Sequence, residues 1–421
     1  MTDNSINYFV LFLAMVLFSG CTGAPVVQPE PVEYARPVKE TCLQDTANSY
    51  HVLAPATLDP GVKLPLVVVL DAHGGGSMAV GKFREAVKYF PCIVAGSDQI
   101  RNNFPGYEKA MIDMISDIRH KYPVDEKQIV FSGFSGGARM AYNMALKYQV
   151  KGLLMMAAGP SQQLPACPLW AISGIGDFNF AEQYKTPNLQ SLENGMYTSD
   201  YFHGNHEWPS SDQLEDGLLY LYRDLEATIP VRLQREEELL DEADMFSASE
   251  DRLLAWKAME KAYKLTENRK EQEKLQKKAR ALLDDPAFIE TIHRLQQDLQ
   301  NESRQQQNYS KKLFSEDLEW WKQEINTLNS NLEGEGSGIA KDHFLRLKGF
   351  LGILLYSAVN QVIHTDPGSD QLPKLLDIYT CAEPKNPDAW KYKSQYAALT
   401  GDKTGSEIYL EKAMEFEQKN R

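Results

Sequence analysis

The chain is 421 residues long with a formal net charge of −14, from 58 acidic and 44 basic residues. That length suits two or three domains rather than one, and 43% hydrophobic residues supply apolar material for more than one core. The acidic balance argues against nucleic acid, whose binding draws on Lys and Arg to neutralise phosphates, and against charge-driven docking on anionic lipid.

Residues 8–18 read YFVLFLAMVLF. Eleven apolar residues are too few to span a bilayer, which takes about 20, but they fit the apolar core of a secretory signal over residues 1–21. Ser19, Gly20 and Cys21 follow. A small pair before a cysteine resembles the cleavage box of bacterial lipoprotein signals. The stretch departs from that pattern in having no Lys or Arg ahead of the apolar run, and Phe18 where Leu is usual. The resemblance implies an exported protein, in the periplasm or at the cell surface, whose only tie to the membrane is acylated Cys21. Stable anchoring takes more than one acyl chain. The plainer alternative is an ordinary cleaved signal or a loosely packed helix. Residues 22–41 hold four prolines and no helical period, which reads as an extended tether.

From 42 to 228 the texture is α/β. Apolar, β-branched runs recur at 64–72, 92–97, 128–133, 150–159 and 169–174, and such unbroken runs suit strands covered on both faces. Helical stretches lie between them, at 107–122 and 137–148. Strand and helix in alternation predict a mostly parallel, doubly wound sheet. Besides Cys21 there are Cys42, Cys92, Cys167 and Cys381. In an exported protein four cysteines permit three full pairings, with Cys42–Cys92 favoured because both should begin strands of one domain. No Cys/His spacing suggests zinc, and no cofactor is implied.

From 229 to 421 long, charged, amphipathic runs predict an all-helical domain. Its final segment resembles one tetratricopeptide repeat, with Trp390, Ser394, Ala397, Ser406, Leu410 and Ala413 at about that motif's spacings. Its charged stretches read as solvated faces before binding sites, and a protein partner is the role left open for it.

Chemistry concentrates in four places. GFSGG at 133–137 matches G-x-S-x-G and lies between a predicted strand and helix, which is the context of a nucleophile elbow with Ser135 as nucleophile. The strand LVVVLDA ends in His73, Gly74, Gly75 and Gly76, a loop type that supplies an oxyanion donor beside the nucleophile. Gly74 and Gly75, with the amide of Gly136, are the candidate oxyanion hole; a flexible turn is the alternative. Asp177 follows a buried strand, and His206 lies 29 residues further on, after a short strand-like run. The order Ser135, Asp177, His206 is that expected of α/β hydrolases. His206 would take the serine proton and Asp177 would hold its tautomer, with Asp200 or Asp98 as other possible acids. His203 precedes His206 by three residues, but Gly204, Asn205 and Pro209 disfavour the helix that a zinc-binding histidine pair needs. Trp208 either walls the acyl pocket or anchors its loop.

Together LPLVVVLDAHGGG, GFSGGARMAYNMA, SGIGD and GNHEWP resemble the α/β-hydrolase superfamily. They are most similar to its polyhydroxybutyrate depolymerase-like and feruloyl-esterase-like branch, over about 45–228. That branch has Gly-His-x-Trp-Pro near its catalytic histidine, whereas here Asn205 stands in place of the Gly. The resemblance implies a serine hydrolase acting on a small or polymer-borne carboxylic ester through an acyl-enzyme. Ten residues, PSQQLPACPL, separate two late strands, so no large lid and an open site are expected. A serine peptidase acting on short peptides and a non-catalytic scaffold lipoprotein are the competing readings.

Overall fold

The computed structural model describes residues 30–419 except 60, 250, 336 and 337, so Cys21 and the apolar run lie outside the described residues. Eight strands form one sheet: β1 (Val38–Thr41), β2 (Ser49–Leu53), β3 (Leu64–Leu70), β4 (Ile93–Ser97), β5 (Val124–Phe134), β6 (Gly152–Met156), β7 (Leu169–Gly174) and β8 (Tyr197–Phe202). Their spatial order is β1-β2-β4-β3-β5-β6-β7-β8. The first two pairings, β1 with β2 and β2 with β4, are antiparallel; the rest are parallel. Helices α1 (Gly76–Phe83), α2 (Tyr107–Lys121), α3 (Gly136–Lys147), α4 (Phe180–Gln183), α5 (Leu189–Glu193) and α6 (Ser211–Leu221) join and cover the strands. This strand order and its crossovers make the fold an α/β hydrolase.

Strand β3 shows why the apolar runs are unbroken. Leu66, Val68 and Leu70 enter the core on one face, while Val67 and Val69 enter the core on the other. Both faces are covered, so alternation with polar residues disappears.

The proposed tether differs from its structure over the described part. Residues 38–41 are strand β1, with Val38 opposite Val52. Ahead of them Tyr34 bridges Pro55, and its hydroxyl accepts from the Cys92 N–H at 3.0 Å. Prolines are tolerated there because this is the sheet's edge, where few ladder bonds are lost. The Cys42–Cys92 pairing does not form: all four described cysteines are free thiols. Cys42 packs in the core on one face of the sheet and Cys92 in the core on the other. Burial pushes the Cys42 and Cys167 thiols up to about 11.

The remaining helices are α7 (Ile229–Ala248), α8 (Arg252–Leu265), α9 (Arg269–Leu283), α10 (Pro286–Lys312), α11 (Leu318–Gly334), α12 (Ile339–Thr365), α13 (Gln371–Ala382), α14 (Pro387–Leu399) and α15 (Lys403–Lys419). Two open on a capped proline. Asp285 accepts from the Ala287 N–H ahead of Pro286, and Asn386 accepts from the Asp388 N–H ahead of Pro387. Pro at the first helical position lacks only an N–H that would be unpaired anyway.

The change of texture at 229 is not where the core divides. Val231, Leu239, Ala258, Met259 and Leu275 of α7–α9 share a core with Val67, Leu154 and Trp170 of the sheet. Helices α10–α15 form the separate all-α domain, with a core around Trp321, Leu351, Leu355 and Tyr379, while Phe288, Ile292 and Leu295 of α10 pack with Ile175, Tyr201 and Trp256. The repeat-like segment is the antiparallel pair α14 and α15, in which Trp390, Ser394, Ala397 and Ala413 are buried and Leu410 is exposed. Ser394 Oγ donates to the Ser406 carbonyl at 2.7 Å and ties the pair together.

Candidate active site

Ser135 stands just past β5, at the start of α3, with φ 53° and ψ −118°. A non-glycine residue avoids positive φ unless its surroundings force it. Two glycines do so here. A Cβ on Gly133 would come within 2.4 Å of Gly137, and one on Gly137 within 2.1 Å of the Leu70 carbonyl. Strand and helix therefore meet closer than any side chain allows, and the turn between them lifts Oγ clear of the backbone.

His206 follows β8 and Asp177 follows β7, so all three side chains meet at the carboxyl ends of parallel strands. His206 Nε2 lies 2.9 Å from Ser135 Oγ, and its Nδ1 lies 3.0 and 3.1 Å from the two oxygens of Asp177. With the proton on Nδ1, the ring donates to Asp177 and accepts from the serine hydroxyl. Asp177 is buried, and burial raises its carboxyl against the opposing hydrogen bond from His206. The Asn179 N–H also donates to it at 2.8 Å. The alternative acids face elsewhere. Asp98 pairs with His51 at 2.9 Å and accepts from Ser49; Asp200 is buried beside Lys261 at 3.5 Å. His203 contacts Asp251, so the two neighbouring histidines serve different partners.

The oxyanion hole requires a correction. Gly74 donates its N–H to the Asp71 carbonyl at 3.3 Å, and Gly75 donates to the Asp71 carboxylate at 3.1 Å, as does His73 at 2.8 Å. Asp71 thus caps its own turn, its side chain taking the His73 and Gly75 donors and its carbonyl the Gly74 donor. The amide of Ala72, in the wall of the cavity that holds Ser135, has no hydrogen-bond acceptor among the described residues. Gly136 remains a candidate donor, because a first-turn amide of α3 has no partner inside its helix.

Sequence reasoning did not find the aromatic packing around His206. Phe134 lies 5.1 Å and Phe178 4.3 Å from its ring, centroid to centroid. Trp208 stacks on Phe134 at 4.9 Å and 15° and also lines the cavity. Phe134 and Phe178 each adjoin a triad residue in sequence, a signal that could have marked them.

The site is only partly covered. A cavity of about 750 Å³ contains Ser135 and His206, and its opposite wall belongs to the C-terminal helices. Leu345, Lys348, Ile353 and Tyr356 of α12 line it, with Glu383 and Asp388 beyond α13. The open site was expected from the α/β loops alone; the structure adds one wall from residues more than 100 further along the chain.

A scan of protein-family profiles and a search of curated proteins both find no match to the sequence. Similar solved structures include a thermostable esterase (15% identity, TM-score 0.33, over 45% of this chain and 63% of that one). Others are the fluorophosphonate-binding serine hydrolase F of Staphylococcus aureus (12%, TM-score 0.37, 45% and 98%) and an α/β serine hydrolase without a lid from Xanthomonas campestris (19%, TM-score 0.33, 46% and 95%). This chain thus spans less than two thirds of that thermostable esterase. The fold assignment rests on the strand order of this chain itself.

Proposed function

We propose that this protein is a serine hydrolase that cleaves carboxylic esters through an acyl-enzyme. The observation that carries the proposal is the unbroken chain Ser135–His206–Asp177 ending on a strained, glycine-flanked serine. Ser135 Oγ would attack the ester carbonyl as His206 Nε2 takes its proton. The amides of Gly136 and Ala72 would face the oxyanion, at the positive end of the α3 dipole. Loss of one such donor costs about 2.7–4 kcal/mol in the transition state. Collapse releases the alcohol, protonated by His206, and water activated by the same ring then frees the acid. The test is labelling by a fluorophosphonate and turnover of a short-chain aryl ester. No labelling of the wild type, or equal turnover by Ser135→Ala, overturns the proposal.

One observation favours a second reading. Glu383 and Asp388 line the same cavity as the serine, and burial raises the Glu383 carboxyl. A desolvated carboxylate suits a substrate ammonium, and the same triad cleaves amides. A panel of aminoacyl amides against aryl esters separates the two. We also propose that Cys21 is acylated and anchors the protein after export; a clickable fatty acid should label the wild type and not Cys21→Ala.

A further inference from the structure

We infer that helix α12 of the all-α domain positions the catalytic residues: Arg346 holds the loop that carries Asp177, and Gly349 makes room for the ring that Phe178 lays against His206. The inference rests on reading Ser135, His206 and Asp177 as a working triad.

Arg346 is fully buried. Its guanidinium forks onto Glu302 of α10, with Nε 3.0 and 2.9 Å from the two carboxylate oxygens and Nη2 2.7 Å from Oε1. Its Nη1 donates to the Ile175 carbonyl at 2.6 Å. Ile175 is two residues before Asp177, and the bond crosses 171 residues of sequence. On the other side of this loop the Ile175 N–H donates to the Phe202 carbonyl at 2.8 Å, and the Gly176 N–H to the Gly204 carbonyl at 2.9 Å. The acid loop is thus held between the segment that leads to His206 and helix α12. A buried Arg–Glu pair gains little net stability over well-packed apolar side chains, because desolvation offsets the attraction. What this pair does that apolar residues could not is aim an N–H at the loop's carbonyl.

The second contact lies one turn further on. A Cβ on Gly349 would come within 3.1 Å of Phe178 Cδ1, and Phe178 packs against the His206 ring at 31°. Even a methyl there must displace Phe178 by a few tenths of an ångström. Leu345, a turn earlier, comes within 3.3 Å of where a Cβ on Gly176 would stand. Two successive turns of α12, Leu345 with Arg346 and then Gly349, therefore meet Gly176, Ile175 and Phe178 around the acid.

The test uses the full chain and a short-chain aryl ester, with kcat and KM measured separately and thermal midpoints recorded. Arg346→Met with Glu302→Gln removes both buried charges together, leaves an amide oxygen for His343, whose Nδ1 lies 2.8 Å from the Glu302 carboxylate, and strips the Ile175 carbonyl of its donor. We expect a near wild-type midpoint, kcat lower by about tenfold to a hundredfold, the range that follows from sub-ångström to 1 Å misplacement, and KM unchanged. Gly349→Ala should lower kcat by about threefold to tenfold on the same ground, again at constant KM. A folded double variant with wild-type kcat overturns the inference, and so does an effect confined to KM. Should the double variant not fold, Gly349→Ala decides alone: wild-type kcat overturns the inference and a fall in kcat supports it. A wild type that neither labels nor turns over defeats the triad reading itself, a different result from an active wild type that tolerates these changes.

Discussion

Three aspartates compete for the role of triad acid, and their surroundings separate them. Asp177 faces His206 with both oxygens, Asp98 is engaged by His51 and Ser49, and Asp200 lies beside Lys261. Asp177→Asn should therefore lower kcat on an aryl ester about 10⁴-fold, the loss expected when the imidazole tautomer is no longer held. Asp98→Asn and Asp200→Asn should stay within a few-fold of wild type. Asp200 has a separate consequence. Burial raises its carboxyl to about 6, with Lys261 opposing. The folded state then binds more protons than the unfolded state between about pH 4 and 6, so this group's contribution to stability falls as pH rises through that window. Asp200→Asn stays neutral throughout. Denaturant titrations should find it gaining on the wild type up to about pH 7, by roughly 1–3 kcal/mol; a difference constant with pH would refute the assignment. At this scale Ser135, Asp177 and His206 were legible, because motif and chain order constrain them. Of the candidate oxyanion donors Gly136 was legible and Ala72 was not: a run of glycines says that backbone is free to turn, not that Asp71 will engage the N–H groups of Gly74 and Gly75.

The elements were legible in proportion to how fully their surroundings fix their pattern. Strands β3 to β7 and helices α2 and α3 fall within a few residues of expectation, since two-sided burial gives an unbroken apolar run. A strand was expected to begin at Cys42, but β1 ends at Thr41 and β2 begins only at Ser49; Val38–Thr41 carries one apolar residue among VKET and is mostly exposed at the sheet edge. The elbow is held by contact rather than propensity. Gly137→Ala would place a methyl 2.1 Å from backbone oxygen that cannot move without β3. It should destabilise by more than about 3 kcal/mol or prevent folding, among the larger effects of a point change, as a thermal melt would show. Helices α6, α7 and α8 meet on a different device. The buried carboxylate of Asp216 accepts from Arg235 at 2.7 and 3.2 Å and from Lys261 at 2.8 Å. Burial works to raise that carboxyl, but Lys261 and Arg235 outweigh it and hold it below the usual range. Asp216→Ala leaves two buried cations short of a partner and should cost about 3–5 kcal/mol in chemical denaturation, which a loss under 1 kcal/mol would contradict.

In the whole molecule the cavity around Ser135 is assembled from parts far apart in sequence, and this was the least legible feature. The period of α12 shows that the helix has apolar faces; it does not say that one of them lies over Ser135. Leu351 and Leu355 turn into the helical core, whereas Ile353, on the other side of the same helix, lines the cavity that holds Ser135. The all-α domain thus supplies part of the wall of the cavity that holds Ser135. The cavity's size then depends on a residue that the α/β part does not contain. Ile353→Trp adds bulk to the roof of an opening of about 750 Å³ without touching the triad. An acetyl ester reaches little beyond the serine and should be turned over at close to the wild-type rate. An octanoyl ester of the same leaving group must extend along the roof. Each methylene that no longer fits forfeits about 1–3 kcal/mol of binding, so kcat/KM for the octanoyl ester should fall by at least about tenfold. Equal losses on both esters would mean that the substitution disturbs Ser135 and not the roof. Unchanged values on both would mean that the acyl chain runs away from α12, toward the face built by Met78 and Asn102.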